Sequence, residues 1–82
     1  MVNGTQNAPE GSPLEVKVED GIATVTLNRP DVLNSLNSEL VWKLRETLTA
    51  LRKDLSIRVL VITGKGRGFC AGADLKDPIM AE

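Results

Sequence analysis

From Leu14 onward the chain alternates, with Leu14, Val16 and Val18 separated by Glu15, Lys17 and Glu19. A period of two predicts a strand with one face against a core. After Asp20-Gly21 a second run, Ile22-Ala23-Thr24-Val25-Thr26-Leu27, follows at once. The Asp-Gly pair supplies the positive φ that a two-residue hairpin turn requires. Asn28-Arg29-Pro30-Asp31 then ends the strand, because Pro30 cannot donate to a ladder and turns Arg29 away from helical φ/ψ. A loop runs to about Leu36. Beyond it Leu40, Leu44, Leu48, Leu51 and Leu55 follow 4, 4, 3 and 4 spacing, widened by Val41, which predicts an amphipathic helix capped by Asn37 or Ser38. Glu39 and Lys43 stand as an i,i+4 pair, and the helix is expected to fade over residues 54–56. Val59-Leu60-Val61-Ile62-Thr63 is continuously apolar or β-branched and bounded by glycine, as a strand buried on both faces would be. Strand, helix and strand in this order predict a right-handed crossover and a parallel pairing. The fold class is α/β.

A strand apolar on both faces needs two covering layers, and the single long helix can supply one. The sequence therefore reads as part of a larger domain, 14–82, preceded by a tail over 1–13. That tail is rich in Asn, Gly, Pro, Ser and Gln and is expected to be disordered.

Composition narrows the function classes. At 82 residues the chain is at most one small domain, and its 41% hydrophobic and 26% charged content is ordinary for a globular protein. One Phe and one Trp leave aliphatic packing to dominate. With 10 basic and 11 acidic residues the net charge of -1 gives no bulk attraction to nucleic acid or to an acidic membrane. Eight of the ten cations lie between Lys43 and Lys76, so a local anion site near Lys65 and Arg67 stays open beside the plainer reading of a solvated face. The lone Cys70 forms no internal disulfide, and without histidine neither a Cys-His nucleophile pair nor a His-bearing zinc site can be built. No metal is expected. A reducing, cytoplasmic setting fits, since no stretch approaches a membrane span and the start lacks a secretory signal pattern.

The chemistry is expected at the loop leaving the 59–63 strand, the usual ligand position in an α/β sheet. Simple phosphate motifs fit it badly. Gly64-Lys65-Gly66-Arg67-Gly68-Phe69 has Phe where a dinucleotide fingerprint wants its third glycine, and Gly64-Lys65 is followed by Gly where a Walker loop wants Ser or Thr. Taken alone, the glycines could simply make a tight turn.

Two motifs together are more specific. Asn28-Arg29-Pro30, with Val32-Leu33-Asn34-Ser35-Leu36 after it, and Val61-Ile62-Thr63-Gly64 leading to Phe69-Cys70-Ala71-Gly72-Ala73-Asp74-Leu75 resemble the enoyl-CoA hydratase/isomerase, or crotonase, superfamily. The likeness spans roughly residues 14–76 and implies the amino-terminal part of a crotonase (ClpP/crotonase-like) fold. It also implies an acyl-CoA substrate, with coenzyme A entering as part of the thioester and no permanently bound cofactor. The thioester carbonyl would sit between two backbone amides that stabilise an enolate, one of them at Ala73, where a helix would begin. Preorganised donors of this kind contribute around 3 kcal/mol each in a dry site. Small residues at Ala71, Gly72 and Ala73 would let the thioester approach the backbone.

By the same resemblance Asp31, Val32, Leu33 and Ser35, with Ala71 and Leu75, would hold the adenine and pantetheine parts of coenzyme A, and Gly72 and Asp74 complete that substrate loop. Some relatives carry a basic residue at the place of Asp31; the acid here leaves Arg29, Lys65 and Arg67 as candidates for phosphate. Asp74 reads as a helix cap that fixes the loop rather than a general base, and Cys70 as a packed residue with no base to activate it.

Hydration needs acid/base groups on C3 and C2 of the enoyl chain, and the family's hydratases carry two glutamates for this on later segments, which nothing here matches. Hydration of 2-enoyl-CoA in fatty-acid oxidation is the leading activity for a complete protein, with isomerase, hydrolase and dehalogenase relatives sharing this half of the fold. The resemblance also implies a homo-oligomer, a trimer or hexamer, for the complete protein, with no nucleic-acid or membrane partner. The rival expectation is an inactive fragment that binds acyl-CoA or associates with full-length subunits.

Overall fold

The computed structural model describes residues 5–6 and 12–79. The two strands of the hairpin, β2 (Leu14–Glu19) and β3 (Ile22–Leu27), pair antiparallel with Glu19 opposite Ile22 and Leu14 opposite Leu27. Asp20 and Gly21 lie at φ 53 and 78°, the two consecutive left-handed residues that a type I′ turn demands. A short strand β1 (Thr5–Gln6) pairs antiparallel with β2, so within the expected disordered tail this stretch is held by ladder bonds. The ordered domain also begins before Leu14. Asn28 donates its backbone N–H to the Pro13 carbonyl at 2.8 Å and its side-chain amide to the Ser12 carbonyl at 3.0 Å. The rest of the tail lies outside the described residues.

Helix α1 (Ser38–Leu51) crosses from β3 to β4 (Val59–Gly64), which pairs parallel to β3 from Ile22 opposite Val59 to Leu27 opposite Gly64. The sheet order is β1-β2-β3-β4. Asn37 caps the helix, its Oδ1 accepting the Leu40 N–H at 2.9 Å. The helix stops at Leu51, earlier than the leucine spacing predicts, and Leu55 is 94% exposed in the turn beyond it. Asp54 accounts for the end of the helical run: its carboxylate accepts the Ser56 N–H at 2.9 Å and hydroxyl at 2.6 Å, a local bond that competes with helical geometry. Val41 is also exposed and does not widen the buried stripe.

The core is small and aliphatic. Leu14, Val25, Leu27 and Leu40 form it, with Leu36, Leu44, Leu51 and Cys70 packed against it. Inward Ala23, Val25 and Leu27 alternate along β3 with outward Ile22, Thr24 and Thr26, the period-two pattern read from the sequence.

β4 departs from expectation. Its apolar residues were predicted to be buried on both faces, yet Val59, Leu60, Val61 and Ile62 are all 39 to 49% exposed. Register puts Leu60 and Ile62 beside Ala23 and Val25 on the helix side, with Val59 and Val61 on the other. Helix α1 leans on β2 and β3, so among the described residues both faces of β4 stay half open. A groove of about 430 Å³, lined by Leu48, Leu51, Ile57 and Leu60 among others, opens between the helix end and β4.

Candidate active site

Two loops at the carboxyl ends of β3 and β4 are bonded together. The first passes through a short 3-10 turn, Pro30–Val32, and then through Leu33 and Asn34, both in the left-handed region at φ 54 and 56°. For non-glycine residues that backbone costs about 1–2 kcal/mol each. Asn34 shows what offsets it. Fully buried, it accepts the Arg29 N–H on Oδ1 at 2.7 Å and donates from Nδ2 to the Lys65 carbonyl at 3.0 Å and the Gly68 carbonyl at 2.9 Å. One side chain thus fastens the two loops. Gly64 is where they come closest, since a Cβ there would overlap the Phe69 carbonyl oxygen and lie 2.7 Å from Asn34 Nδ2. Gly66 meets the first loop too, its would-be Cβ 2.9 Å from Pro30 Cβ.

Farther along, Ala71 donates its N–H to the Leu33 carbonyl at 2.9 Å. Leu36 and Ala73 then form an isolated parallel bridge: the Leu36 N–H reaches the Gly72 carbonyl at 2.6 Å and the Asp74 N–H reaches the Leu36 carbonyl at 2.8 Å. In such a bridge the flanking peptide groups serve the partner, while the central residue's own N–H and C=O point away from it. The Gly72–Ala73 peptide is trans, so with its carbonyl turned to Leu36 its N–H projects to the opposite side. Among the described residues the Ala73 N–H meets no acceptor, and Ala73 is exposed. Gly72 makes this possible at φ 101°, with open space where its Cβ would be.

The helix expected to begin at Ala73 is not formed over residues 74–79, which make turns. Asp74 therefore caps no helix; its Oδ1 accepts the Lys76 N–H at 2.9 Å in an Asx turn. The donor strength of the Ala73 amide consequently rests on its open orientation and not on a helix dipole. Asp77 supplements the Asn37 cap, accepting the Ser38 N–H at 2.7 Å and hydroxyl at 2.9 Å in the first turn of α1.

Arg29 lies between the loops. Its Nη1 donates to the Ser35 carbonyl at 2.5 Å and its Nη2 pairs with Asp74 Oδ2 at 3.2 Å, both side chains largely shielded. The Asp74 carboxyl is held below its ordinary value, first by the Lys76 N–H and further by Arg29, against the opposing effect of burial. This engagement removes Arg29 from the phosphate candidates. Lys65 is paired with Glu15 at 3.0 Å, whereas Arg67 is exposed and has no side-chain partner among the described residues. Of the implied coenzyme wall, Asp31, Val32, Leu33, Ala71 and Leu75 are exposed, and Ser35 is buried beneath Arg29. In the sequence Asn34 stands only as one residue of the 32–36 motif; its tolerance of left-handed φ, in a loop with no glycine, is the signal that marks it.

Residues 17–82 match the family model described as Enoyl-CoA hydratase/isomerase. The chain belongs to this family. Over 60 residues it is 55% identical to the 1,2-epoxyphenylacetyl-CoA isomerase of Escherichia coli, covering 73% of this chain and 23% of that protein. Over 65 residues it is 45% identical to the (E)-benzylidenesuccinyl-CoA hydratase of Thauera aromatica, covering 78% of the chain and 25% of the relative. A crystal structure of an enoyl-CoA hydratase/isomerase from Mycobacterium paratuberculosis superposes with a TM-score of 0.75 at 42% identity, over 78% of this chain and 24% of that one. The chain thus spans about a quarter of the length of these family members. The fold is a partial crotonase fold: hairpin, crossover helix, parallel strand and loop.

Proposed function

We propose that these residues supply one half of an oxyanion hole that acts on acyl-CoA thioesters, with the Ala73 N–H as donor. The observation carrying this reading is the orientation of that amide, unpaired and turned away from the bridge that fixes its neighbours on both sides. A thioester oxygen that gains negative charge as an enolate forms is stabilised by such a donor more than the neutral carbonyl is, so the interaction lowers the barrier and not merely the ground state. Exposed Val32, Leu33, Ala71 and Leu75 offer apolar surface to the pantetheine chain, and Arg67, without a side-chain partner among the described residues, is free to meet a phosphate.

The activity we assign to the whole protein is hydration of a 2-enoyl-CoA, as in fatty-acid oxidation, with the second amide and the acid/base pair contributed by further chain. Family membership and the relatives' names support this reaction class. Both hydratase and isomerase names occur among them, each with a CoA thioester in its name. The test is made in the natural gene product that carries these residues, by following loss of the enoyl thioester absorbance of crotonyl-CoA. Ala73→Pro, which deletes the N–H, should lower kcat by about 10²–10³-fold, and Ala73→Gly, which keeps it, by far less. Equal activity of the two variants would exclude this amide as a donor.

A further inference from the structure

We propose that Arg29 and Asp74 form a positioning pair that sets the direction of the Ala73 N–H; the proposal rests on the oxyanion reading above. The bridge between Leu36 and Ala73 is isolated, made of two backbone hydrogen bonds, and the one further backbone bond between these segments among the described residues, Ala71 N–H to the Leu33 carbonyl, lies on its upstream side only. Arg29 grips both sides of it. Through Nη1 it holds the carbonyl of Ser35, the residue before Leu36, and through Nη2 the carboxylate of Asp74, the residue after Ala73. Its own backbone N–H is fixed by Asn34, so the guanidinium fork is anchored at its base and satisfied at its tip. Asp74 is constrained a second time by the Lys76 N–H on its other oxygen.

The planar fork suits this task because one group bridges two acceptors on separate segments at fixed spacing, which an ammonium on a flexible stem does not do. Removing it leaves the Asp74 side chain with the Lys76 N–H alone, and the Gly72–Ala73 peptide, hinged on a glycine at φ 101°, is then free to turn with it. Misplacement of a reacting geometry by about 1 Å can cost on the order of 10²-fold in rate. Arg29 and Asp74 are thus positioning residues: their effect falls on the stabilisation of developing charge and not on the grip on coenzyme A.

The test uses Arg29→Met, Arg29→Lys and Asp74→Asn in the natural gene product, well below each variant's melting temperature. The first probe is acetoacetyl-CoA, whose bound enolate is read by its ultraviolet absorbance, with coenzyme A alone as the control ligand. The expected result is about tenfold or greater loss of enolate affinity in Arg29→Met and Asp74→Asn, with coenzyme A affinity changed by less than about twofold, and little recovery in Arg29→Lys. With crotonyl-CoA the same variants should lower kcat while KM stays near that of the parent. Variants that melt earlier yet retain full enolate affinity would assign the pair to stability alone and overturn the proposal. A parent protein that forms no bound enolate would instead overturn the oxyanion reading. The ligand-free arm then still decides the positioning claim: exchange of the Leu36 and Asp74 amides should quicken at least about tenfold in Arg29→Met, and unchanged exchange refutes it.

Discussion

At the scale of single residues, Asn34 and Gly64 carry the largest structural consequences. Asn34→Ala strands the Arg29 N–H and the Lys65 and Gly68 carbonyls, and also places alanine at φ 56°. We expect a loss of roughly 3 kcal/mol, read as a lower denaturation midpoint. Asn34→Asp should be no better, because it keeps the shape but offers an acceptor where two carbonyls need donors. Gly64→Ala drives a methyl into the Phe69 carbonyl, backbone that cannot step aside, whereas Gly72→Ala meets no neighbouring atom, only conformational strain of about 1–3 kcal/mol. Thermal melting of the two variants should therefore separate them clearly, with Gly64→Ala the lower. The glycines of this loop were legible in the sequence as a tight turn, but only the approach of Asn34 and Phe69 shows which of them has no substitute.

At the scale of elements, the hairpin, the helix start and β4 are local matters that the sequence encodes well. Asp20-Gly21 fixes the turn through two positive φ values, and Asn37 satisfies the Leu40 N–H. Replacing Asn37 by Ala should cost about 1 kcal/mol of stability, and Leu40→Ala, in the middle of the core, about 2–5 kcal/mol. The far end of α1 was less legible. Leucine spacing runs on to Leu55, but periodicity records where apolar groups fall, not whether Asp54 will take the Ser56 N–H and stop the helix. The same reasoning removes the helix once expected after Ala73, where Asp74 spends its carboxylate on an Asx turn and on Arg29.

At the scale of the whole molecule, charge and exposed surface matter most. The Asp74 and Asp54 carboxyls both sit below their ordinary value of 3.8, Asp74 chiefly through the Lys76 N–H and Asp54 chiefly through the Ser56 hydroxyl. A carboxyl depressed in the folded state stabilises fully above its unfolded value and loses that contribution as pH falls through the folded one. The loop at Asp74 and the turn at Asp54 should accordingly loosen below about pH 4, seen as faster exchange or a falling melting temperature, and Asp74→Asn should flatten the dependence at the first. The four exposed apolar residues of β4 form the other large-scale feature. Prepared as the 82-residue chain, the protein should self-associate through this edge, and Val61→Lys should reduce the association in sedimentation or light scattering.

Consecutive residues by themselves determined the alternating strands, the hairpin turn and the helix cap, because each follows from short-range φ/ψ preference and spacing; the order of elements gave the parallel crossover, and the likeness of two motifs gave the family. Tertiary structure alone decided that Asn34 is the buried clasp, that Arg29 turns inward to Asp74 across 45 positions, and that the Ala73 N–H is left open. Those outcomes depend on which carbonyls and amides of two distant loops find each other once the crossover has brought them together, and no local preference specifies the partner.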